Sequence, residues 1–475
     1  MSSSINGYGN SASKVTTILP VNPTRIGNIV LDSADENLLD NWDIEWDDST
    51  TDTSNLRLAA KQLQESNIPV AFPTETVYGL GADATRSTAV KGIYTAKQRP
   101  SDNPLIVHVA SLKQLRRLLA PGASDSSRTK SIPDIYKPLI EKFWPGPLTI
   151  ILPNPQDSVL APEVTAGLDT FGARMPRSIL ALALIKLAGV PVAAPSANAS
   201  TKPSPTAAEH VRHDLDGRID TIIDGGPCDV GVESTVVDGL SHPPAILRPG
   251  GISIEQLREC PGWEDVVLGY KDAAAEAGAK PRAPGMKYRH YSPRAKVVLF
   301  ESATKPPDLD TVLYHLNSPK SFGIIRTKVW PTGFGLKSTR PMETKNSLPL
   351  DAVNGTKVTP TKFINGIIRS EGPQRGNSIT ISNLLKAMDQ HRIPISEQLL
   401  VSMGPGDNED VDVWEINLGE DLEEIGRGLF SALRELDQKH VDVIFVEGIS
   451  DDLGSVAAAI MNRLRKAAEV IIKAP

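Results

Sequence analysis

The sequence is poor in cysteine, since its 475 residues include only Cys228 and Cys260. Two thiols cannot build a disulfide framework or a four-cysteine zinc site, and they fit a reducing compartment. Long hydrophobic runs are also missing, because no stretch approaches the roughly 18 to 20 apolar residues that a membrane-spanning helix requires. We therefore exclude a secreted disulfide scaffold, a cysteine-based zinc module and a protein with membrane-spanning helices.

A basic excess is absent as well, because the formal net charge is −7. Proteins that bind nucleic acid over a wide surface usually carry more cations than anions, so this class is disfavoured, although a local basic groove stays open. The N-terminus has no hydrophobic core of a signal peptide, and acidic residues from Asp32 onward argue against a mitochondrial presequence. We expect a cytoplasmic protein.

Sequence signatures of common catalytic sites are also missing from the chain. The sequence has no catalytic-triad pattern, HExxH, paired-carboxylate signature or Walker A loop. Its 40% hydrophobic and 23% charged residues are those of an ordinary globular protein. A chain of this length predicts two or three domains.

The composition changes along the chain. Residues 1–53 are rich in Ser, Asn and Asp, which predicts a flexible, poorly ordered extension with one strand at Ile26–Leu31. Residues 54–269 alternate short apolar runs with helical patterns, and Ser54 is the expected N-cap of the first helix. This pattern predicts an α+β core domain whose twisted, mixed sheet has a concave active-site face.

Residues 270–294 are predicted to be a linker. Its second half, APGMKYRHYSP, places aromatic and cationic side chains between prolines, whereas a simple tether would use Gly, Ser and Glu. In residues 295–475, buried strands alternate with helices, which predicts a smaller α/β domain with a Rossmann-like parallel sheet. Residues 328–395 are rich in Pro, Ser, Thr and Asn and are predicted to be mostly an insertion, with a helix near Ile379–Met388.

The stretch FPTETVYGLGAD, residues 72–83, follows an apolar strand predicted at Ile68–Phe72. Gly79 and Gly81 allow positive φ and close backbone approach, which suits an anion-binding loop at a helix entry. An ordinary strand–turn–helix corner accounts for the same residues.

Several loops collect cations, hydroxyls and amides beside predicted strand ends, where an open sheet gathers ligand groups. They supply Thr76, Lys97, Arg99, His108, Thr149, Arg174, Ser196, Asn198, Ser204, Ser234 and Arg248. Ordinary explanations exist: a solvated helix end for Lys97 and Arg99, and a satisfied sheet histidine for His108. Together these residues indicate a polyanion site in which hydroxyls orient the ligand and chemistry proceeds by positioning and charge stabilisation.

At this point the motifs, taken in order, resemble a known family. The segments FPTETVYGLGAD, AKQRPSDNPLIVHV, FWPGPLT, ARMP, PSANASTKPSPT, ESTVVD and LRPGG resemble the YrdC-like threonylcarbamoyl-AMP synthases. APGMKYRHYSP followed by an α/β domain resembles the long form of that family, in which a linker covers the active site. Within the C-terminal domain, GRGLFSALRELD and AIMNRLRKAA are the matching segments.

The resemblance implies a reaction. L-threonine and bicarbonate or CO2 would form a carbamate that attacks the α-phosphate of ATP, giving threonylcarbamoyl-AMP and pyrophosphate. A tRNA threonylcarbamoyl-transferase complex would then modify the adenosine beside the anticodon of ANN-decoding tRNAs, and weak direct contact with tRNA stays open. Mg²⁺ is expected with ATP and is expected to be held mainly by phosphates and water, because no acidic cluster indicates a protein-built metal site.

The same resemblance assigns residue roles by motif position. Threonine would be held by Thr76, His108, Arg174, the backbone of Ala194, and Ser234; a guanidinium such as that of Arg174 binds a carboxylate in bidentate fashion. ATP would be held by Arg99, Asn103, Thr149, Ser196, Asn198, Ser204, Arg248, and the linker residues His290 and Tyr291. Lys97 and Arg99 would be catalytic, with Lys97 stabilising charge on the carbamate or the α-phosphate.

These assignments revise the view of residues 72–83. The phosphates of ATP are then expected beside Arg99, Ser196, Ser204 and Arg248. The glycines are expected to shape a wall on the threonine side of the pocket. One departure from the family is Thr201, which stands where glycine is common.

Two alternatives remain from the sequence. A maturation enzyme that forms a carbamoyl adenylate shares the core domain, but such proteins carry cysteine-rich zinc modules that two cysteines cannot build. A non-catalytic RNA-binding module would use a basic groove, which the acidic net charge disfavours.

Overall fold

The computed structural model describes residues 15–31, 39–40, 42–128, 131–269, 290–316, 321–336, 378–379, 393–402 and 410–474. The core domain is built on an eleven-stranded mixed sheet, and a second domain is built on a six-stranded sheet that is mostly parallel. The predicted fold class, an α+β core with a smaller Rossmann-like α/β domain, is confirmed.

The first strands come from a segment that was predicted to be poorly ordered. Strand β1, Thr17–Pro20, pairs in parallel with the strand Thr221–Asp224, while β2, Gly27–Leu31, pairs antiparallel with β3, Trp42–Trp46. The prediction for residues 1–53 is therefore wrong for the described part of this segment, although its strand near residues 26–31 is confirmed. Alternate apolar side chains of β2 and β3 are buried, and the many polar residues between them hide this period-two pattern.

The first helix also begins earlier than predicted. It spans Thr51–Glu65, and its N-cap is Thr50, whose hydroxyl accepts a hydrogen bond from the backbone N–H of Thr53 at 3.2 Å, so the expected cap at Ser54 is wrong. The helix buries one apolar face because its alanines and leucines recur at helical spacing. The other core helices are Ser87–Lys97, Leu112–Leu119, Asp125–Arg128, Lys137–Phe143, Pro162–Thr165, Ile179–Ala188, Ala208–Leu215 and Ile254–Arg258.

The remaining core strands are short. They are β4 Val70–Phe72, β5 Gly79–Asp83, β6 Ile106–His108, β7 Leu148–Pro153, β8 Thr170–Arg174, β9 Val192–Ala193, β10 Thr221–Asp224, β11 Thr235–Asp238, β12 Ala245–Arg248 and β13 Val267–Leu268. Their order across the sheet is β1-β10-β4-β5-β9-β6-β8-β7-β11-β12-β13. Parallel pairing of β6 with β8 sets His108 opposite Arg174, which brings two predicted site residues together at neighbouring strand ends.

The glycines of the stretch 72–83 serve packing. Gly79 and Gly81 lie in β5, and neither has a positive φ. A Cβ atom on Gly81 would lie 2.7 Å from the ring of Phe72 and 2.8 Å from Cγ1 of Val192. The initial interpretation of these glycines as an anion-binding loop at a helix entry is wrong, because the glycines let a side chain of β4 lie against the backbone of β5.

The second domain alternates strands and helices. Its sheet contains β14 Lys296–Phe300, β15 Ser321–Arg326, β17 Glu397–Ser402, β18 Asp410–Asn417, β19 Val443–Glu447 and β20 Val470–Ile472, in the order β17-β18-β15-β19-β14-β20. Only β17 is antiparallel to its neighbour among these described strands. The helices among its described residues are Leu309–His315, Leu422–Gln438 and Ser455–Ala467.

The predicted insertion, residues 328–395, is described at its ends and at one short strand. This strand, β16 at Ser378–Ile379, pairs antiparallel with β2 of the N-terminal segment. The helix predicted near Ile379–Met388 is therefore wrong at its first residue, and the rest of it lies outside the described residues.

Two helices of the second domain lie against the core domain. Helix Leu422–Gln438 approaches Gly231 so closely that a Cβ atom there would lie 2.3 Å from the Cα of Arg427. Gly231 also has a φ of +76°, a conformation that favours glycine.

Among the described residues, no helix has both the length and the apolar character needed to cross a membrane.

Candidate active site

A pocket opens between loops of the core domain and the end of the linker. Its lining includes Thr74, Thr76, Val77, Gly79, Arg99, Ile106, His108, Arg174, Ala194, Pro195, Ser196, Glu233, Ser234, Arg248, His290 and Tyr291. Five predicted site residues lie just behind this lining or beside it: Lys97, Asn103, Thr149, Asn198 and Ser204. The sequence had not pointed to Glu75 and Glu233, which both contact predicted site residues.

Arg174, the last residue of β8, is held by three groups of the core domain. Its Nη1 donates to Thr76 Oγ1 at 2.9 Å, its Nε donates to the carbonyl of Gly146 at 3.2 Å, and its Nη2 lies 2.7 Å from Glu75 Oε1. Burial raises the pKa of Glu75, but the Arg174 guanidinium outweighs burial and holds that pKa below its usual value. The pair gives this end of the pocket a fixed guanidinium whose charge is balanced.

His108 lies beside this pair as a neutral ring. Burial, followed by the nearby Arg174, lowers the pKa of His108 to about 3. Its Nδ1 is buried without a hydrogen-bond partner among the described residues, so this atom is available to a ligand. The backbone N–H of Ala194 is already used, because it donates to the carbonyl of Ile106 at 2.9 Å.

A hydroxyl pair and an arginine form the wall at β11 and β12. Thr149 Oγ1 and Ser234 Oγ lie 2.8 Å apart, with Thr149 fully buried behind Ser234. Arg248 Nη2 donates to the carbonyl and the hydroxyl of Ser234, at 2.9 and 3.0 Å. Thr149 therefore acts on the pocket through Ser234 in this arrangement, which its sequence position could not reveal.

Lys97 occupies an unexpected place. Its Nζ is buried and donates to the carbonyl of Ser196, to the carbonyl of Asn198 at 2.6 Å, and to Asn198 Oδ1 at 3.3 Å. Burial lowers the pKa of Lys97 well below its usual value, with the neighbouring Arg99 acting in the same direction. The side chain thus fastens the loop after β9 from beneath, and it does not line the pocket.

Asn198 completes this loop. Its Oδ1 accepts from Ser196 Oγ at 2.6 Å, while its Nδ2 donates to the carbonyls of Ala199 and Lys202 at 2.8 and 2.9 Å. Thr201 has a φ of +72°, which accounts for the preference for glycine that the family resemblance implies at this position. The asparagine therefore shapes the loop that presents Ser196 to the pocket.

Arg99 and Asn103 flank the opposite rim. Arg99 Nη2 donates to the carbonyls of Asn103 and Pro104, at 3.5 and 3.3 Å. Arg99 Nε and Asn103 Oδ1 are buried without partners among the described residues. Buried polar atoms rarely stay unpaired, so these two atoms indicate where a ligand or water completes the site.

Glu233 links the pocket to the second domain. Its Oε1 accepts from Ser204 Oγ at 2.6 Å, and its Oε2 accepts from Nε of Arg463 at 3.1 Å. Burial raises the pKa of Glu233, but the cations Arg463 and Arg248 outweigh burial and lower it to about 2. The carboxylate is therefore ionised and paired at neutral pH.

The end of the linker closes over the same region. Tyr291 is buried, has a φ of +69°, and places its ring 5.1 Å from that of Phe430 in the second domain. The backbone N–H of His290 donates to the carbonyl of Lys466, and burial lowers the pKa of the His290 ring to about 3. The predicted linker residues thus line the pocket, whereas residues 270–289 lie outside the described part of the chain.

Comparisons with known proteins match both domains. A family model described as Telomere recombination, for the Sua5, YciO and YrdC proteins, matches residues 62–250. A second, described as Threonylcarbamoyl-AMP synthase, C-terminal domain, matches residues 252–469.

Individual relatives match over most of their length. The Threonylcarbamoyl-AMP synthase of Schizosaccharomyces pombe is 42% identical, over 89% of this chain and 90% of its own. That of Pyrococcus abyssi is 38% identical, over 87% of this chain and 93% of its own.

A solved structure gives the same result. The crystal structure of Pyrococcus abyssi Sua5 complexed with L-threonine superposes with a TM-score of 0.63 and 33% identity, covering 97% of this chain and all of that one. The order of motifs, the two matching domains and the full-length relatives agree. This chain belongs to the threonylcarbamoyl-AMP synthase family, in the form that carries the C-terminal domain.

Proposed function

We propose that this chain condenses L-threonine, bicarbonate or CO2, and ATP to threonylcarbamoyl-AMP and pyrophosphate, for threonylcarbamoylation of ANN-decoding tRNAs. The observation that carries the proposal is the two-ended pocket. One end presents Arg174 with Thr76, which suits an amino-acid carboxylate, and the other presents Arg99 and Arg248 with hydroxyls, which suits a polyphosphate. Its family and its threonine-bound relative support the same reaction.

At the threonine end, Arg174 pairs with the substrate carboxylate and Thr76 holds the guanidinium in position. Neutral His108 offers an unpaired Nδ1, and Ser234 offers a hydroxyl. The backbone of Ala194 would contribute through its carbonyl, because its N–H already donates to Ile106. A balanced Arg174–Glu75 pair leaves this end close to neutral, which favours binding of a zwitterionic amino acid over a simple dianion.

At the ATP end, Arg99, Ser196 and Arg248 line the pocket and contact phosphate oxygens in the proposal, while His290 and Tyr291 cover the nucleotide. Ser204 and Thr149 act by holding Glu233 and Ser234, and Asn103 contributes its unpaired Oδ1. Asn198 shapes the loop rather than touching the nucleotide. The bond to the α-phosphate forms as the carbamate oxygen attacks, and pyrophosphate leaves with the electron pair of the broken bond.

The two residues predicted to be catalytic have different roles in the proposal. Arg99 stabilises charge on the phosphates, as the family resemblance implies. Lys97 keeps a role in the proposal, but as the residue that positions the Ser196 loop, because its Nζ is occupied by the carbonyls of that loop. Positioning and charge stabilisation are the main contributions that proteins make to phosphoryl-type transfer.

A magnesium ion fits the chemistry as a companion of ATP. Glu75 forms an ion pair with Arg174 through Oε1, and Glu233 forms one with Arg463 through Oε2, so neither carboxylate offers both of its oxygens to a metal. Phosphate and water oxygens would hold the ion, which neutralises phosphate charge when bound. The product passes to a tRNA threonylcarbamoyl-transferase complex, and we retain a cytoplasmic location and at most weak direct tRNA contact as expectations.

The test supplies ATP, Mg²⁺, bicarbonate and labelled threonine to the full chain, and follows pyrophosphate and labelled adenylate together. We expect pyrophosphate release that depends on both threonine and bicarbonate, with one labelled adenylate per pyrophosphate. Equal release with and without threonine contradicts the proposal. An adenylate that forms equally well without threonine would support the maturation-enzyme alternative.

A further inference from the structure

Glu233 is an unusual residue for a pocket that holds a polyphosphate. Glu233 lines the pocket, and it is 7% exposed. An anion at this place repels ATP unless a cation neutralises it at close range. The charged groups that face it are Arg248 from the core domain and Arg463 and Lys466 from the second domain.

Arg463 makes the direct contact from the second domain. It lies in helix Ser455–Ala467 and is 1% exposed. Its Nε donates to Glu233 Oε2 at 3.1 Å, its Nη2 donates to the carbonyl of Glu233 at 3.4 Å, and its Nη1 donates to the carbonyl of Pro249. One guanidinium therefore joins the segment before β11 to the segment after β12, immediately beside Arg248.

The contact extends to the loop after β9. The other oxygen of Glu233 accepts from Ser204 Oγ at 2.6 Å, so both ends of the carboxylate are fixed. A second arginine of the same domain reaches this loop independently. Arg434 donates to the carbonyl of Pro203 and pairs with Asp214, whose Oδ2 accepts from the backbone N–H of Ala199.

We propose that Arg463 of the second domain is a positioning residue for ATP: it neutralises Glu233 at the pocket wall and fixes the Glu233 and Ser204 segments against the nucleotide. The inference rests on the proposed function, because it takes ATP to be the ligand of this wall. It assigns the second domain a direct part in the nucleotide site, in addition to the cover supplied by the linker. At the threonine end, the contacts of Arg174 come from the core domain alone.

The test is a cycle of variants in the full chain: Arg463→Met, Glu233→Gln, and both together. Glutamine keeps an oxygen that accepts from Ser204 but removes the charge. We expect Arg463→Met to raise the KM for ATP and the Kd of a non-hydrolysable ATP analogue at least about 30-fold, with the KM for threonine changed less than about threefold. In the Glu233→Gln background the same substitution should change ATP affinity less than about threefold.

Arg465→Met is the matched control. It lies two positions further along the same helix and pairs with Glu301 and Asp451 of its own domain. We expect it to leave both Michaelis constants within about twofold of the wild type.

Each outcome decides the inference. Unchanged ATP affinity in Arg463→Met, or an equal weakening of ATP and threonine, overturns it. If Arg463→Met alone fails to fold, Glu233→Gln is compared with the double variant. A large additional loss of ATP affinity in the double variant overturns the inference, because Arg463 would then act independently of Glu233. Failure of the wild type to bind the analogue overturns both the inference and the proposed function, whereas binding without adenylate formation contradicts the proposed function alone.

Discussion

The two ends of the pocket are built in different ways. The threonine end consists of Arg174, Thr76, Glu75 and His108, which come from a single domain and lie on or beside neighbouring strands. The ATP end depends on the loop after β9 and on the Glu233 segment, both of which are fastened by arginines of the second domain.

The difference follows from how each backbone is fixed. His108 and Arg174 are the last residues of two paired strands, so the ladder of backbone hydrogen bonds sets their positions. The loop at residues 195–206 forms one isolated bridge to the sheet, between Gly79 and Ser196, and separate backbone hydrogen bonds to Tyr78 and Leu80, rather than a continuous ladder. A loop without a ladder needs side chains to fix it, and Lys97 and Arg434 supply them.

The strongest test of the threonine end is Arg174→Met. We expect the KM for threonine to rise roughly 100-fold. The substitution removes the cation that pairs with buried Glu75 and, with it, the guanidinium that binds the threonine carboxylate in the proposal. ATP-analogue affinity should stay within about threefold. Steady-state kinetics with each substrate varied, together with calorimetric binding of threonine, measures both effects.

Its control addresses the carboxylate that is left behind. Unpaired Glu75 would destabilise the fold by about 3 to 5 kcal/mol, so Arg174→Met with Glu75→Gln should recover stability but not threonine binding. Recovery of threonine binding in the double variant contradicts the role given to Arg174, and an equal loss of ATP binding would erase the contrast between the two ends.

A smaller effect is expected at the loop of the ATP end. Lys97→Met removes the donor beneath Ser196 and Asn198, so we expect the KM for ATP to rise about tenfold, which corresponds to a total loss of about 1.4 kcal/mol. Titration of both substrates measures this. Lys202→Met is the control in the same loop. The Lys202 side chain is only half-buried and pairs with Asp437 at 3.4 Å, so its loss should change the KM for ATP less than the loss of Lys97 does.

The outcome also separates two roles for Lys97. A variant with lower turnover but an unchanged KM for ATP would return Lys97 to the charge-stabilising role that its sequence position predicted. A rise in the KM for ATP with threonine binding intact supports the positioning role.

Stability should also depend on pH. The pKa values of His108 and His290 are lowered to about 3, so both rings stay neutral in the fold while the unfolded chain takes up protons below about 6.5. Stability should therefore be complete above pH 6.5 and fall as the pH decreases toward 3, by about 1.4 kcal/mol per pH unit for each histidine.

Denaturant unfolding at pH 7.5 and 5.5 compares the two ends of the pocket directly. His108→Gln and His290→Gln should each reduce the pH dependence by a similar amount, since burial shields both rings. If His290→Gln leaves it unchanged while His108→Gln reduces it, the linker and second domain do not stay closed over the pocket in solution.

Much of the site could be predicted from local sequence. The motifs put Thr76, Arg99, His108, Arg174, Ser196, Ser234 and Arg248 near strand ends, and the structure brings these residues to one pocket. The described part of residues 1–53 was misjudged because β2 and β3 alternate apolar with polar residues, so the average composition looks disordered. The contacts of Lys97 could not be predicted, because a cation at the end of a helix gives no indication of the carbonyls it will meet.

By itself, the sequence determined the strands, the helices, the chemistry of each loop and thereby the family. These properties depend on residues that are close together along the chain, where periodicity and turn chemistry act. Tertiary structure alone decided which charges meet. Arg463 and Glu233 are 230 positions apart and Lys97 and Asn198 are 101 apart, and such pairs form only after the sheet and the second domain bring their backbones together.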